Sequence, residues 1–523
     1  MNESRCGKQQ LKGLRRLMAV IACVFMAVVI SGCGSSNTDG GGKVLHYGTT
    51  AYGPAMENAG LNPHEAYQGW SAVRYGVAET LVRFNDAMEV KPWLADSWQF
   101  VDAHTVKLHI RDKVTFSNGK PLTAEAVKAN FEELLAVHDR APKDLGIQSM
   151  VADGQNLTIQ SSNPATVLLT YLADPYSAII DVSEKPKDGL YVGTGPFKAT
   201  NITEKSVSLV RNDSYWDGKP KLDGVEVVRI TEGDTLTMAL QKGDIDAAQG
   251  LPYNSLELFK DASAYTISSM PTSRVYQVAF NFNSSAMQDK AVREAIAMSI
   301  DKTQFAKVLL KGNGVAAVGP FPENTALGHM KVTAPSFNIE AAKKILADAG
   351  YRDMDGDGYV DKNGQPLTVR WLTYTSRQEL PVLAEAAQAT LKQVGIKVEV
   401  NATDAYRSVL KQGNFDVFAK AFVTAPTGEG SYYFKTNALA GAVDNVGNYN
   451  SPAIQELMAQ LDQTTEPAQR QAIFQTMTQT VLDDAAFIYV AHLKMNLVMK
   501  HKVVNFKASP TDYYELNKDV DLS

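Results

Sequence analysis

Between residues 94 and 135 the chain reads LADSWQFVDAHTVKLHIRDKVTFSNGKPLTAEAVKANFEELL, and the spacing of its apolar positions changes once along the way. Val106, Leu108 and Ile110 alternate with Thr105, Lys107 and His109, the period of a strand with one buried face. Val114 and Phe116 resume the apolar character, and Ser117-Asn118-Gly119 closes the run as a turn. After it Val127, Phe131, Leu134 and Leu135 fall on one helical stripe, with Thr123 placed to cap the helix and Glu125 suited to its positive first turn. This stretch therefore predicts a strand, a turn and an amphipathic helix lying on a small sheet.

The same reading extends along the chain. Residues 44–50 form a short first strand, and Asn62-Pro63-His64 forces an extended turn. Val73, Val77 and Leu81 predict a helix over 70–81 with those three facing the core. Trp70 and Arg74, also one turn apart, share a different face, which is either the edge of the core with a solvated charge or a wall for a ligand. Strands follow at 197–212 and 223–230, then at 275–282. Helices are predicted at 289–300 and 339–349, the latter capped by Asn338 and ended by Gly350, and at 380–394, 452–461 and 467–482. Strands are predicted at 367–374, 397–401, 415–419 and 487–498. GTG at 193–195 followed by Pro196 lacks the third glycine and the opening helix of a dinucleotide site.

A chain of 523 residues exceeds one hydrophobic core, so two or three domains are expected. At the N-terminus Arg5, Lys8, Lys12, Arg15 and Arg16 precede an apolar run over 17–30 that stops at Ser31-Gly32-Cys33, the pattern of a signal peptide with a lipobox. Removing residues 1–32 takes Cys6 and Cys23 away and leaves Cys33 as the single cysteine, so no disulfide and no thiolate metal site is expected. It also leaves 46 basic against 56 acidic residues, a charge of −10, which argues against nucleic acid as a partner. Residues 34–43 (GSSNTDGGGK) read as a flexible tether.

Nucleophile and metal motifs are missing: there is no GxSxG, HExxH, CxxC or GxxxxGK[ST], and the eight histidines include no pair at ligand spacing on a predicted helix. An enzyme is not expected. Asp353, Asp355, Asp357 and Asp361, with Gly358, match the first three-quarters of an EF-hand loop, but Gly364 stands where the bidentate glutamate belongs and a strand follows. A structural calcium ion and a plain Asx/Gly turn are the two readings of that loop.

The order of segments carries more than any one of them. The stretch at 94–135, followed by YVGTGPF at 191–197, LVRNDSYW at 209–216, ALQKGDID at 239–246, VAFNFN…AVREAIAMSID at 278–301 and FNIEAAKKILADAG at 337–350, closely resembles the peptide/nickel class (family 5) of extracellular solute-binding proteins that feed ABC importers. The resemblance implies an α/β, two-lobed periplasmic-binding-protein fold of class II, or cluster C, with an extra subdomain inserted in the first lobe. It divides the chain into a signal peptide (1–32), a lipid-anchored tether (33–43), a first lobe (44–85, 193–275 and 488–523), an inserted subdomain (86–192) and a second lobe (276–487), with hinge strands near 276–282 and 485–495.

GWSAVRYGVAETL at 69–81 and TAPTGEGSYYF at 424–434 look more like the nickel and metallophore branch than the oligopeptide branch. The implied protein is a monomer, diacylated at Cys33 and held outside the cytoplasmic membrane, that captures a metal–histidine or opine-metallophore complex between its lobes and delivers it to permease subunits. An oligopeptide- or dipeptide-binding protein is the alternative, and a lipoprotein that senses a ligand and signals to a membrane partner is an alternative of another class. By resemblance Arg140 grips a chelator carboxylate, Arg74 is a candidate second fork, Trp70, Tyr432 and Tyr433 supply walls, and Asn448 supplies an amide. The branch's second arginine falls at Asp174, its binding tryptophan at Val423, and Thr427 stands where a tyrosine occurs, so nickel specificity is weaker than family membership.

Overall fold

Leu45 and Tyr47 are fully buried in β1 (Val44–Thr49) while His46 between them is exposed, as the period of a strand demands. In the computed structural model, residues 42–50, 60–377, 379–511 and 513–523 are described; the expected signal peptide, Cys33 and the expected tether up to residue 41 lie outside them. After β1 comes α1 (Gln68–Arg74). It is shorter than the predicted helix over 70–81. Gly76 leaves the helix at φ +66°, where a Cβ would stand 2.7 Å from the Leu516 carbonyl oxygen, so Val77 and Leu81 reach the core from a turn instead.

The stretch expected as an insert (86–192) contains β2 (Ala95–Phe100), β3 (Thr105–Ile110), β4 (Ile147–Asp153) and β5 (Asn156–Ser161), an antiparallel sheet of order β2–β3–β5–β4. It also carries α2 (Ala124–Val137) and α3 (Ala141–Leu145). The Thr123 side chain accepts the Ala126 N–H at 3.1 Å, and Val127, Phe131 and Leu134 are fully buried, so the predicted stripe and cap both form.

The chain then runs through β6 (Phe197–Ile202), β7 (Ser206–Arg211), β8 (Gly224–Arg229), β9 (Ala247–Gln249), β10 (Tyr265–Phe280), β11 (Gly314–Ala316), β12 (Thr368–Thr373), α4 (Glu379–Gln393), β13 (Lys397–Ala402), β14 (Val417–Val423), α5 (Pro467–Asp483) and β15 (Phe487–Lys500). Eleven strands form one mixed sheet of order β13–β12–β14–β10–β15–β9–β1–β8–β7–β6, with β11 added to β15.

Two long strands, β10 and β15, serve two cores. Leu497 and Met499 pack with Leu45, Tyr47 and the insert. Tyr276, Val278, Phe280, Ile488 and Val490 pack with Trp371 and α4. A third cluster joins α5 to Tyr433 and Tyr489. Each fully buried side chain of this size contributes about 1.5–3 kcal/mol, so both halves carry their own hydrophobic stabilisation. Two cores built on one mixed sheet give the α/β, two-lobed fold that the sequence implies. The β10–β15 ladder is broken between Pro271, opposite Lys494, and Val275, opposite His492, just before the stretch 276–282.

Candidate functional site

A cleft of about 730 Å³ opens where the insert, the break in the crossing strands and the loops after β12 and β14 meet. That size suits a small ligand. Its floor is Thr272, Ser273 and Arg274 of β10 with Leu493 to Asn496 of β15. Trp70 forms a wall, stacked on Tyr67 at 5.5 Å and tilted against Tyr513 at 6.2 Å. Tyr432 forms another, stacked on Phe422 with 6.1 Å between centroids. A smaller cavity of about 400 Å³ lies against Pro271 and His492; its wall is mostly apolar, and burial pushes the His492 imidazole down to about 4, so that ring is neutral.

Arg140 is placed by the end of α2. His138 follows the helix, and its Nδ1 accepts the N–H groups of both Arg140 and Ala141 at 3.1 Å. Nε2, 3.3 Å from the Ala66 carbonyl, therefore carries the hydrogen. Burial lowers the His138 pKa and keeps this arrangement neutral. The Arg140 guanidinium donates to Asp144 at 3.0 Å and lies 5.5 Å over the Tyr176 ring. Burial works against its charge, but the Asp174 and Asp144 carboxylates more than offset this and raise its pKa. Burial in turn raises Asp174 to about 6, against the pull of Arg140 and of the Tyr176 N–H that its carboxylate accepts.

Three of the expected site residues, Trp70, Arg140 and Tyr432, thus meet at the cleft, as do Asp174 and Val423. Three others do not. Arg74 is 2% exposed, its Nε lying 3.8 Å from Glu515, a carboxylate that also accepts the Tyr47 hydroxyl at 2.6 Å. The C-terminal segment covers that face of α1, the Leu516 N–H donating to the Arg74 carbonyl at 2.9 Å, so Arg74 is a core charge and not a second fork. Tyr433 is fully buried, its hydroxyl 2.6 Å from that of Tyr489. Asn448 is exposed at φ +57° in a turn held by Asn445, and is absent from the cleft lining. Thr427 is buried and is not among the residues that line the cleft.

Sequence reasoning missed Arg274, Arg377, Tyr253 and Lys494, all of which line the cleft. The signal for Arg274 was a charged residue at the edge of an alternating strand; nothing local marks Arg377. Lys494 spends its ammonium on the Gly312 carbonyl at 2.9 Å. No histidine or cysteine is among the described lining residues, and the stretches outside the description hold no histidine.

In the acidic loop, carboxylate oxygens of Asp353, Asp355 and Asp361 lie within 4.8 Å of one another; Asp357 stands apart from the group and accepts the Tyr359 N–H at 2.8 Å. Asp353 accepts the N–H groups of Gly356 at 2.7 Å and Gly358 at 3.0 Å, the bonds of an Asx-type turn. A two-stranded ribbon, Asp361–Lys362 with Gln365–Pro366, follows where an EF-hand has a helix.

Residues 89–445 match the family described as bacterial extracellular solute-binding proteins, family 5 Middle. Over 499 residues the chain is 29% identical to the nickel-binding protein NikA of Staphylococcus aureus, covering 94% of this chain and 97% of that one. It is 27% identical over 448 residues to the probable D,D-dipeptide-binding periplasmic protein DdpA of Escherichia coli, covering 81% of this chain and 83% of that one. The crystal structure of a nickel ABC transporter protein from Bacillus halodurans superposes with a TM-score of 0.84 at 28% identity, covering 92% of this chain and all of the other.

Proposed function

The chain belongs to the bacterial extracellular solute-binding proteins of family 5, and from that membership we propose that its cleft takes an anionic metal chelate, such as a nickel–histidine or opine-metallophore complex, and hands it to an ABC importer. The observation that carries this reading is a cleft with a guanidinium and aromatic walls, Arg140 with Trp70 and Tyr432, and with no histidine or cysteine among its described lining residues to bind bare metal. Such a site recognises a metal through the carboxylates of its chelator. Arg140→Ala is expected to cost roughly 2–4 kcal/mol of binding, the range for breaking a charged hydrogen bond that closure buries. Calorimetry with nickel alone, nickel with histidine and a random tripeptide pool checks it. Tight tripeptide binding with none of the chelate would move the protein to peptide cargo, and an unaffected Arg140→Ala variant would show the clamp to be elsewhere.

Peptide cargo is the second reading. Asp144 and Asp174 stand beside Arg140 in the cleft, where they suit an ammonium terminus. Under either cargo, we place the mature protein on a lipid anchor at Cys33, outside the cytoplasmic membrane. Cys33→Ser should release the processed protein from membranes on fractionation; a processed variant that still pellets wholly with them sinks the anchor.

A further inference from the structure

The smaller cavity, of about 400 Å³, shares no lining residue with the cleft, although the two use neighbouring positions of the crossing strands: Pro271 and His492 line the first, Thr272 and Leu493 the second. The rest of its wall comes from the chain that follows β11, within residues 315–332, and from Thr478 of α5. Pro271 and His492 also bound the gap in the β10–β15 ladder, so a guest here is seated against the place where that pairing lapses.

The chain after β11 is strapped down from three sides. Gln475 and Gln479 of α5 donate to the Lys331 and Thr333 carbonyls at 3.1 Å each. The Thr424 hydroxyl, just past β14, donates to the Pro320 carbonyl at 2.7 Å, and the Asn324 amide donates to the Pro271 carbonyl at 3.1 Å. The cavity is therefore formed before anything enters it, and a guest needs to order little of the protein.

Val318, Phe321, Leu327, Met330 and Val332 make the lining largely apolar. Its two charged residues, Glu323 and Lys331, are exposed and of opposite sign, so an ion inside would find no buried counter-charge. Three polar atoms on lining side chains are nevertheless buried without a hydrogen-bond partner: Asn324 Oδ1, Thr478 Oγ1 and His492 Nδ1. The Gly319 carbonyl, 3.2 Å from Nε2 of the neutral His492 ring, accepts its hydrogen and leaves a lone pair on Nδ1. The Phe321 backbone lies near enough to act on that ring without coming into hydrogen-bond geometry with Nδ1. Two of the three atoms are thus acceptors and the third is a hydroxyl that can act either way. Leaving such atoms buried and unmet is costly, and a donor brought in by a guest relieves it.

We propose that this cavity is a second binding site, taking a small uncharged molecule with an apolar body and an N–H or O–H donor that meets the acceptors of Asn324, Thr478 and His492. Nothing in this site depends on which cargo the cleft carries.

Indole serves as the probe, and 1-methylindole, which has the same body without the N–H, as its control, each titrated by calorimetry into the folded protein. Indole is expected to bind at one site and 1-methylindole about tenfold more weakly, the size of one hydrogen bond. Val318→Trp, at a partly exposed lining position, fills the cavity and should abolish indole binding, with Val332→Trp as a second filling variant. Trp70→Ala, in the cleft, should keep it. Parent-like melting curves confirm that each variant is folded. A parent that does not bind indole up to the limit of its solubility leaves the cavity to water and overturns the site. Indole binding lost in Trp70→Ala and kept in the filling variants would put the probe in the cleft instead, and equal binding of the two indoles would show that the three polar atoms do not select the guest.

Discussion

Asp174 caps the short turn Pro175–Ser177 and stands beside the Arg140 charge, so its protonation bears on the cleft directly. Burial lifts its carboxyl from 3.8 to about 6. The folded state therefore binds the proton more tightly than the unfolded chain. The stability that this group contributes is fully present below pH 3.8 and is lost as the pH rises through about 6. For an anionic ligand at Arg140 the consequence has the same sign: lowering the pH through 6 removes a competing negative charge and tightens binding. Asp174→Asn, which keeps a capping side chain, should bind nickel–EDTA more tightly at pH 7.5 by about 1 kcal/mol and flatten the dependence between roughly pH 7.5 and 5.5. Calorimetry at the two pH values decides it; a parent that weakens on acidification, matched by the variant, would show that Asp174 does not face the bound anion.

At the scale of elements, what could be read from sequence was whatever is decided within one turn or one strand. The cap at Thr123 and the stripe of α2 form as the spacing requires, and the alternation in β3 buries Val106, Leu108 and Ile110 completely. Arg140 was legible because it follows such an element closely. What failed was the assignment of a face where a distant segment decides burial. Arg74 and Trp70 share a side of α1 by spacing, yet Glu515 and Leu516 cover the first while the second lines the cleft beside Tyr513. Adjacent tyrosines 432 and 433 likewise part company: Glu429 accepts the Ser431 N–H at 3.1 Å and is bound by both bonds of Arg470 on α5 at 2.9 and 3.0 Å. That buried pair, 41 residues apart in sequence, fixes the short helix Ser431–Tyr433 so that Tyr433 enters the core and Tyr432 faces the cavity. Glu79 shows the same limit, since its one buried carboxylate accepts hydrogen bonds from Trp93, Thr194, Tyr215 and Trp216, which lie in separate parts of the chain. Local periodicity marks Glu79 only as a charge on a helix face, whereas the fold makes it the point where the insert is tied to the sheet.

On the scale of the whole molecule, the two cores meet through β10 and β15, and the ladder between these strands is incomplete at the cleft. Over that gap the Thr272 hydroxyl donates to the Leu493 carbonyl at 2.9 Å, a side-chain bond in place of a backbone one. Fewer backbone bonds resist bending there than elsewhere along the pair, so rotation of one core against the other should concentrate at Pro271–Val275 and His492–Lys494. A ligand shifts such an equilibrium only by the difference in its affinity for the two arrangements. Arg140 projects from the insert while Tyr432 and Arg377 project from the half that contains Trp371, so a ligand touching both sets binds the closed arrangement more tightly. Small-angle scattering should therefore show a smaller radius of gyration with saturating nickel–EDTA than without it. At matched saturation Arg140→Ala should compact less, because the ligand then engages mainly one wall. A radius unchanged by ligand that calorimetry shows to be bound would remove the hinge and leave a rigid cleft.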